Sequence, residues 1–205
     1  MLRRTLLLTT LLTTLLAPAA AQAATDPAAA PVAAFGKALI TAMKNGPSQS
    51  FTQRASALRP AIEAAFDLPV ILARSVGLGY ANFTAAQKSA LLAAFTDFTV
   101  ASWTANFHRW SGETFRVLPQ IRKLGAEEIV ATELGVPGKK AIPFDFVMQQ
   151  GKAGWQVVDI LLDGTISRVA VQRSDFHAEL ASGGPDALIA SLKRKADQLA
   201  GGGKG

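Results

Sequence analysis

The chain of 205 residues contains no cysteine. That absence excludes thiol nucleophiles, disulfide scaffolds, thiolate zinc sites, iron–sulfur ligation and a lipid-modified N-terminal cysteine. Histidine is nearly absent too: His108 and His177 stand far apart and leave little for metal ligation or acid/base work. No Gly-x-Ser-x-Gly elbow, HExxH helix, phosphate-cradling glycine loop or dinucleotide fingerprint occurs. Gly77-x-Gly79 has neither a strand before it nor a nucleotide-type helix behind it, and reads as a turn. The chain therefore offers no catalytic constellation, metal site or cofactor site, and the reading is a binding protein, not an enzyme.

Long hydrophobic runs are also missing, with one exception at the start. Arg3 and Arg4 form a positive n-region, residues 6–17 are apolar and uncharged, and Ala21-Gln22-Ala23 is a small-x-small cleavage site. These are the three parts of a secretory signal peptide, expected to span residues 1–23. The run is shorter than the ~20 apolar residues that cross a bilayer. No later segment reaches that length, so the mature chain is expected to be soluble and periplasmic. Cleavage after Ala23 removes two arginines and leaves 19 basic against 15 acidic residues, a net charge of +4. That mild positive balance in an exported chain argues against nucleic acid as a partner and suits anionic lipid head groups.

About 180 residues remain, enough for one domain with its own core. Residues 24–34 read as a flexible leader rich in Pro and Ala, 35–200 as a single domain and 201–205 as a flexible glycine tail. Helical periodicity dominates the first half. Phe35, Leu39 and Met43 share a stripe that Asn45-Gly46-Pro47 ends. Leu58, Ile62 and Phe66 form another, with Pro60 predicting a kink or break near Leu58. Asp67 reads as the N-cap of a short helix over 68–76. Thr84-Ala85-Ala86-Gln87 is a capping box opening a helix that runs to about Trp110, with a wide apolar face including Leu91, Phe95, Phe98 and Trp103.

At Ser111-Gly112 the period becomes two. Strands are predicted over 114–118, ending at Pro119, and over 128–134, 142–149 and 155–162. The last of these is apolar on both faces. Helix returns over 168–180 and 187–199, with a break at Gly183-Gly184-Pro185-Asp186. The predicted class is α+β: N-terminal helices, a curved antiparallel sheet, then C-terminal helices, with the helices on one face.

The helix opening at Thr84 and the strand over 155–162 either line a cavity or form plain core, and their residues alone leave both open. Arg74, Arg168 and Arg173 lie near the ends of apolar elements, where a guanidinium can meet a phosphate. An acid–imidazole pair of His177 with Asp175 or Glu179, joined by Ser167 or Ser174, is the hydrolase alternative; on a polar helix a solvated face is the simpler reading. His108 reads as a helix-end residue facing the C-terminal dipole.

A series of short motifs then occurs in order: Phe66-Asp67-Leu68 before the short helix to Gly77, the Thr84 to Gln87 helix start with Phe95 inside it, Ser111-Gly112-Glu113 before a strand, Trp155-Gln156-Val157-Val158-Asp159-Ile160, Arg173-Ser174-Asp175-Phe176, and Leu188, Ile189 and Leu192. This series resembles the Mla-pathway periplasmic phospholipid-binding proteins (MlaC), also called the toluene-tolerance family, over about residues 35 to 195. Thr165-Ile166-Ser167 and His108-Arg109-Trp110 depart from the usual pattern and resemble the branch associated with hopanoid gene clusters (HpnM-like).

The resemblance implies a periplasmic carrier that shields the acyl tails of a phospholipid, or a hopanoid-type lipid, in a cavity between helices and sheet. The expected lining is Val70, Ile71, Phe95, Phe98, Trp103, Phe144, Phe146, Val157 and Ile160. Arg74, Arg168 and Arg173 are the expected head-group or docking residues. The implied partners are an inner-membrane ABC transporter complex and an outer-membrane lipoprotein complex. The competing reading is an exported interaction or structural protein with an ordinary core and no ligand cavity.

Overall fold

A computed structural model describes residues 26–202. The expected signal peptide, residues 24 and 25 of the leader, and residues 203–205 of the tail lie outside the described residues. Among those described, no helix is long and apolar enough to cross a membrane.

The chain begins with α1 (Ala29–Asn45), α2 (Phe51–Ala65) and α3 (Leu68–Val76). A 3-10 turn, Leu78–Asn82, leads to α4 (Ala85–Asn106). A meander follows: β1 (Thr114–Leu124), β2 (Glu127–Gly135), β3 (Ile142–Gly151), β4 (Gly154–Leu162) and β5 (Ile166–Ser167). The last element, α5 (Arg168–Gly202), is bent where Gly183 and Gly184 leave helical geometry ahead of Pro185. The fold is α+β, with the strands in the order β1-β2-β3-β4-β5, every neighbouring pair antiparallel.

Local chemistry accounts for most of the boundaries. Thr84 Oγ1 accepts from the Gln87 amide at 3.2 Å, and Gln87 Oε1 accepts from the Thr84 amide at 3.0 Å, satisfying two of α4's four orphan donors. Ser50 and Gln53 form a second box at the start of α2. Asp67 Oδ1 accepts from the Val70 amide and caps α3. Between β4 and β5, Asp163 and Gly164 both take positive φ, 51° and 72°, as a tight Asp-Gly turn requires.

Five boundaries differ from the sequence expectation. α4 ends at Asn106 with Phe107 as its C-cap, about four residues short of the expected Trp110. The first helix starts at Ala29, so part of the expected leader is ordered: Ala28, Ala29 and Val32 are buried, which anchors that stretch to the core. Residues 201 and 202 of the expected tail close α5. Pro60 sits inside α2 without ending it. Pro119 does not end β1, because β1 is an edge strand whose pairing with β2 is irregular between Val117 and Ile121, and there a missing N–H costs little.

α1, α2, α4 and α5 cover one face of the sheet, and α3 also reaches the other through Val70. α1 packs on α2 and β1, α4 on α5 and α2, and α3 on α5, α4 and β4. Between the layers the aromatic rings interlock: Phe35 meets Phe66 edge-on at 5.0 Å and Trp103 at 4.8 Å, and Phe146 packs against Phe35, Phe66 and Phe115. Each such pair contributes about 0.5–1.5 kcal/mol beyond its buried area. The outer face holds only a small apolar cluster, Ile129, Val147 and Val158, with Val70 and Leu161 against it.

Candidate functional site: an apolar cavity between helices and sheet

The cavity is set by one stripe of α4. Phe95, Phe98, Thr99, Ser102, Trp103 and Asn106 recur at three- and four-residue steps, so they share one face of that helix. Opposite them stand Phe144 of β3 and Ile160 and Leu162 of β4. Phe66, Leu68 and Ile71 close one side, and Arg168, Val169 and Gln172 from the first turn of α5 close another. These residues enclose about 300 Å³. Trp103 is held by stacking on Phe107 at 5.2 Å and by its edge contact with Phe35.

The polar groups of the wall are mostly committed within the protein. The Thr99 hydroxyl donates to the Phe95 carbonyl at 2.8 Å, and Asn106 Nδ2 donates to the Ser102 carbonyl at 2.9 Å. Gln172 Oε1 accepts from the buried Ser75 hydroxyl. Asp159 accepts from the Val169 amide at 3.0 Å, the Ile160 amide at 2.7 Å and the Ser167 hydroxyl at 2.5 Å, while Ser167 Oγ accepts from the Ala170 amide. Asp159 and Ser167 thus cap α5 and pin its first turn to β4. What remains facing the space is mainly carbon, which favours hydrocarbon over a polar solute. The exposed members of the wall, Asn106 and Arg168, mark the side open to solvent. Arg168 is in no ion pair among the described residues.

Of the residues singled out in the sequence, the structure brings Ile71, Phe95, Phe98, Trp103, Phe144 and Ile160 into this wall, with Arg168 beside them. Five others lie elsewhere. Val70 is on the outer face of the sheet with Ile129, Val147 and Val158, because one residue along a helix turns a side chain by about 100°. Phe146 shares Phe144's face of β3 but lies two residues further along, fully buried among Phe35, Phe66 and Phe115. Val157 is buried beside the Phe66 bridge, and its carbonyl accepts from the Asp67 amide at 2.9 Å.

The other two are arginines. Arg74 follows Val70 by one helical turn and pairs with Glu127 at 2.8 Å and Gln149 at 2.7 Å. Arg173 donates twice to the Arg74 carbonyl, at 3.0 and 2.6 Å, fastening α5 to the end of α3.

Several wall residues escaped the sequence reading. Phe66, Leu68, Phe107, Leu162 and Val169 were legible as apolar but not as cavity residues. Thr99, Ser102 and Asn106 are polar and add nothing to an apolar pattern, although their spacing from Phe95 places them on its stripe. The two-faced apolarity of β4 has a local cause: Val147 pairs with Asp159 and Met148 with Val157, so Val158 is an extra residue that turns into the outer cluster. His108 Nδ1 lies 2.8 Å from the Ala105 carbonyl at the end of α4. His177 is exposed and has no hydrogen bond to Ser167 or Ser174 among the described residues.

Helices over one face of an antiparallel meander, enclosing a carbon-walled cavity with a cation at its opening, make a binding protein for molecules that are mostly hydrocarbon. The family model for the MlaC protein matches residues 34–194, and the chain belongs to that family, one of lipid-binding and lipid-transport proteins. The fold is shared with a phospholipid-binding protein from Ralstonia solanacearum solved in complex with a phospholipid. The TM-score is 0.74 at 16% sequence identity, covering 85% of this chain and 99% of that one.

Proposed function

We propose that the protein is a periplasmic carrier that takes up the acyl tails of a phospholipid in the cavity beneath α4. It would ferry the lipid between an outer-membrane lipoprotein complex and an inner-membrane ABC transporter complex. The observation that carries this reading is the cavity itself: a carbon-walled space of about 300 Å³ between α4 and the sheet. Family membership and the phospholipid named for the Ralstonia relative support the ligand class. The export signal expected from the sequence of residues 1–23 supports the compartment.

The energetics call for enclosure. Two chains of about 16 carbons represent on the order of 25 kcal/mol of transfer free energy at ~0.8 kcal/mol per methylene, which rules out unassisted crossing of an aqueous space. At about 30 Å³ per group of water or methylene size, the cavity accommodates about ten methylenes, roughly a third of such tails. Full loading therefore requires the walls to separate. No bond is made or broken in the cycle. Arg168, at the solvent side, is placed to meet a phosphate.

The walls discriminate little between hydrocarbons, and the departures at His108-Arg109-Trp110 and Thr165-Ile166-Ser167 favour a hopanoid-type lipid as the second ligand class. Native mass spectrometry of protein purified from a periplasm without detergent, with lipid extraction of the same sample, tests the proposal. A stoichiometric adduct that extracts as phospholipid or hopanoid supports the carrier and assigns its cargo. A lipid-free, monodisperse, folded protein would overturn it and favour an exported interaction protein without a ligand.

A further inference from the structure

A second cleft lies on the far side of Phe98, whose side chain lines both spaces. It encloses about 480 Å³ between α2, α4 and the end of α5. Its wall includes Phe51 and Arg54 of α2, Phe98 and Ala105 of α4, and Lys195 and Gln198 of α5, and among the described residues no carboxylate lines it.

Arg54 is the unusual member. Its side chain is deeply buried, at 5% exposure for the residue, yet it forms no ion pair among the described residues. Nη1 donates to the Thr104 carbonyl at 2.9 Å, in the last turn of α4, where carbonyls lack intrahelical partners. Capping a helix in this way uses one of the five N–H donors of a guanidinium. Nε is buried with no hydrogen-bond partner. The Phe51 ring, 5.9 Å from the guanidinium carbon, provides a weak cation–π contact and no countercharge.

The contrast with Arg59, five residues further along α2, is direct. There Asp97 and Glu63 hold the guanidinium pKa up, whereas at Arg54 burial alone acts and pushes it down. A buried, uncompensated guanidinium is costly unless an anion completes it. Lys195 adds a second cation to the same wall, and it pairs with Glu179 at 3.7 Å.

We propose that this cleft is an oxyanion site in which Arg54 and Lys195 hold a phosphoryl group, separated from the tail cavity by Phe98. The planar fork of Arg54 suits the paired oxygens of a phosphate, and Lys195 supplies a mobile point charge from the opposite helix. The inference stands independently of the carrier reading, because either a lipid head group or free phosphate presents this chemistry.

The test uses delipidated mature protein with isotope-labelled arginine. The Arg54 Nε–H resonance is followed while inorganic phosphate is added, with chloride at matched ionic strength as control. A saturable shift with phosphate but not chloride is expected, weakened about tenfold in Lys195→Gln by loss of one charge-assisted contact. No shift, an equal shift with chloride, or unchanged affinity in Lys195→Gln would overturn the site. Lys195 is partly exposed, so this variant remains informative even if Arg54→Gln fails to fold.

Loading the phosphate-bound protein with phosphatidylglycerol from vesicles distinguishes the sources. Expulsion of phosphate identifies a lipid head group as the occupant, and simultaneous binding identifies a free oxyanion. Phe144→Arg separates this proposal from the carrier reading, since it disables the tail cavity and is expected to leave phosphate binding intact.

Discussion

Replacing Ser102 by Trp tests the cavity by filling it rather than by damaging the core. Ser102 lines the cavity from the middle of the α4 stripe, and its carbonyl, not its hydroxyl, takes part in the local hydrogen bonding. The substitution therefore adds a large ring while removing almost no packing. Eight additional heavy atoms at about 20 Å³ each, a close-packed value, occupy about 160 Å³. That is roughly half of the 300 Å³ available.

About five methylenes lose their place, which at ~0.8 kcal/mol each is a loss of about 4 kcal/mol of tail binding. Lipid affinity then falls by about a thousandfold. Lipid phosphorus per mole of purified protein, read beside thermal melting, measures both binding and fold. The expected result is a near lipid-free protein with a melting temperature close to wild type. A Ser102→Trp protein that melts like wild type and retains stoichiometric lipid would refute the assignment of the tails to this cavity.

Three further outcomes follow from the packing. Gly36 of α1 lies so close to β1 that an added Cβ would stand 2.1 Å from the Phe115 ring. Gly36→Ala should therefore destabilise the fold by about 1–3 kcal/mol through overpacking, seen as a lower midpoint in urea denaturation; an unchanged midpoint would contradict that contact. Asp159→Ala removes the acceptor that caps α5 and should cost about 1–2 kcal/mol, whereas Asp159→Asn, which keeps one acceptor oxygen, should cost less. Equal losses in the two variants would argue against a capping role.

The third concerns acid. The buried Ser191 hydroxyl donates to Glu179 at 2.5 Å across the bend of α5 and holds that carboxyl below its ordinary value of 4.5. A carboxyl with a depressed folded pKa contributes stability that is complete above the unfolded value and is lost as pH falls through the folded value. The difference in melting temperature between wild type and Ser191→Ala should be largest near neutral pH and shrink in acid below 4.5. A difference independent of pH would mean that the hydroxyl acts through packing alone.

Much of this fold is readable from the chain because local signals coincide with the tertiary ones. The Thr84 capping box, the Asp67 cap, the Asp163-Gly164 turn and the glycine break before Pro185 each declare a boundary through backbone chemistry that needs no partner. Pro119 misleads because its cost depends on strand order: at a sheet edge the absent N–H has nothing to bond, and edge position is a long-range property.

The cavity divides in the same way. Phe95, Phe98 and Trp103 are legible as one stripe, but Ser102 and Asn106 are concealed by their polarity. Phe144 and Phe146 are equivalent in periodicity, and only the position of the Phe35 and Phe66 rings determines which faces a space and which is sealed. Arg54 carried no sequence signal, since a polar residue on a helix is ordinarily solvated. Its burial results from α2, α4 and α5 closing around it.

Trp103 offers the most direct test of the central claim, that lipid tails lie beneath α4. In a protein with Trp110 and Trp155 replaced by Phe, Trp103 is the sole tryptophan, and its ring lines the cavity. Loading with a phospholipid brominated along its acyl chains should quench Trp103 fluorescence strongly and stoichiometrically, while the same lipid without bromine should not. Stoichiometric binding of the brominated lipid with Trp103 emission unchanged would contradict the account.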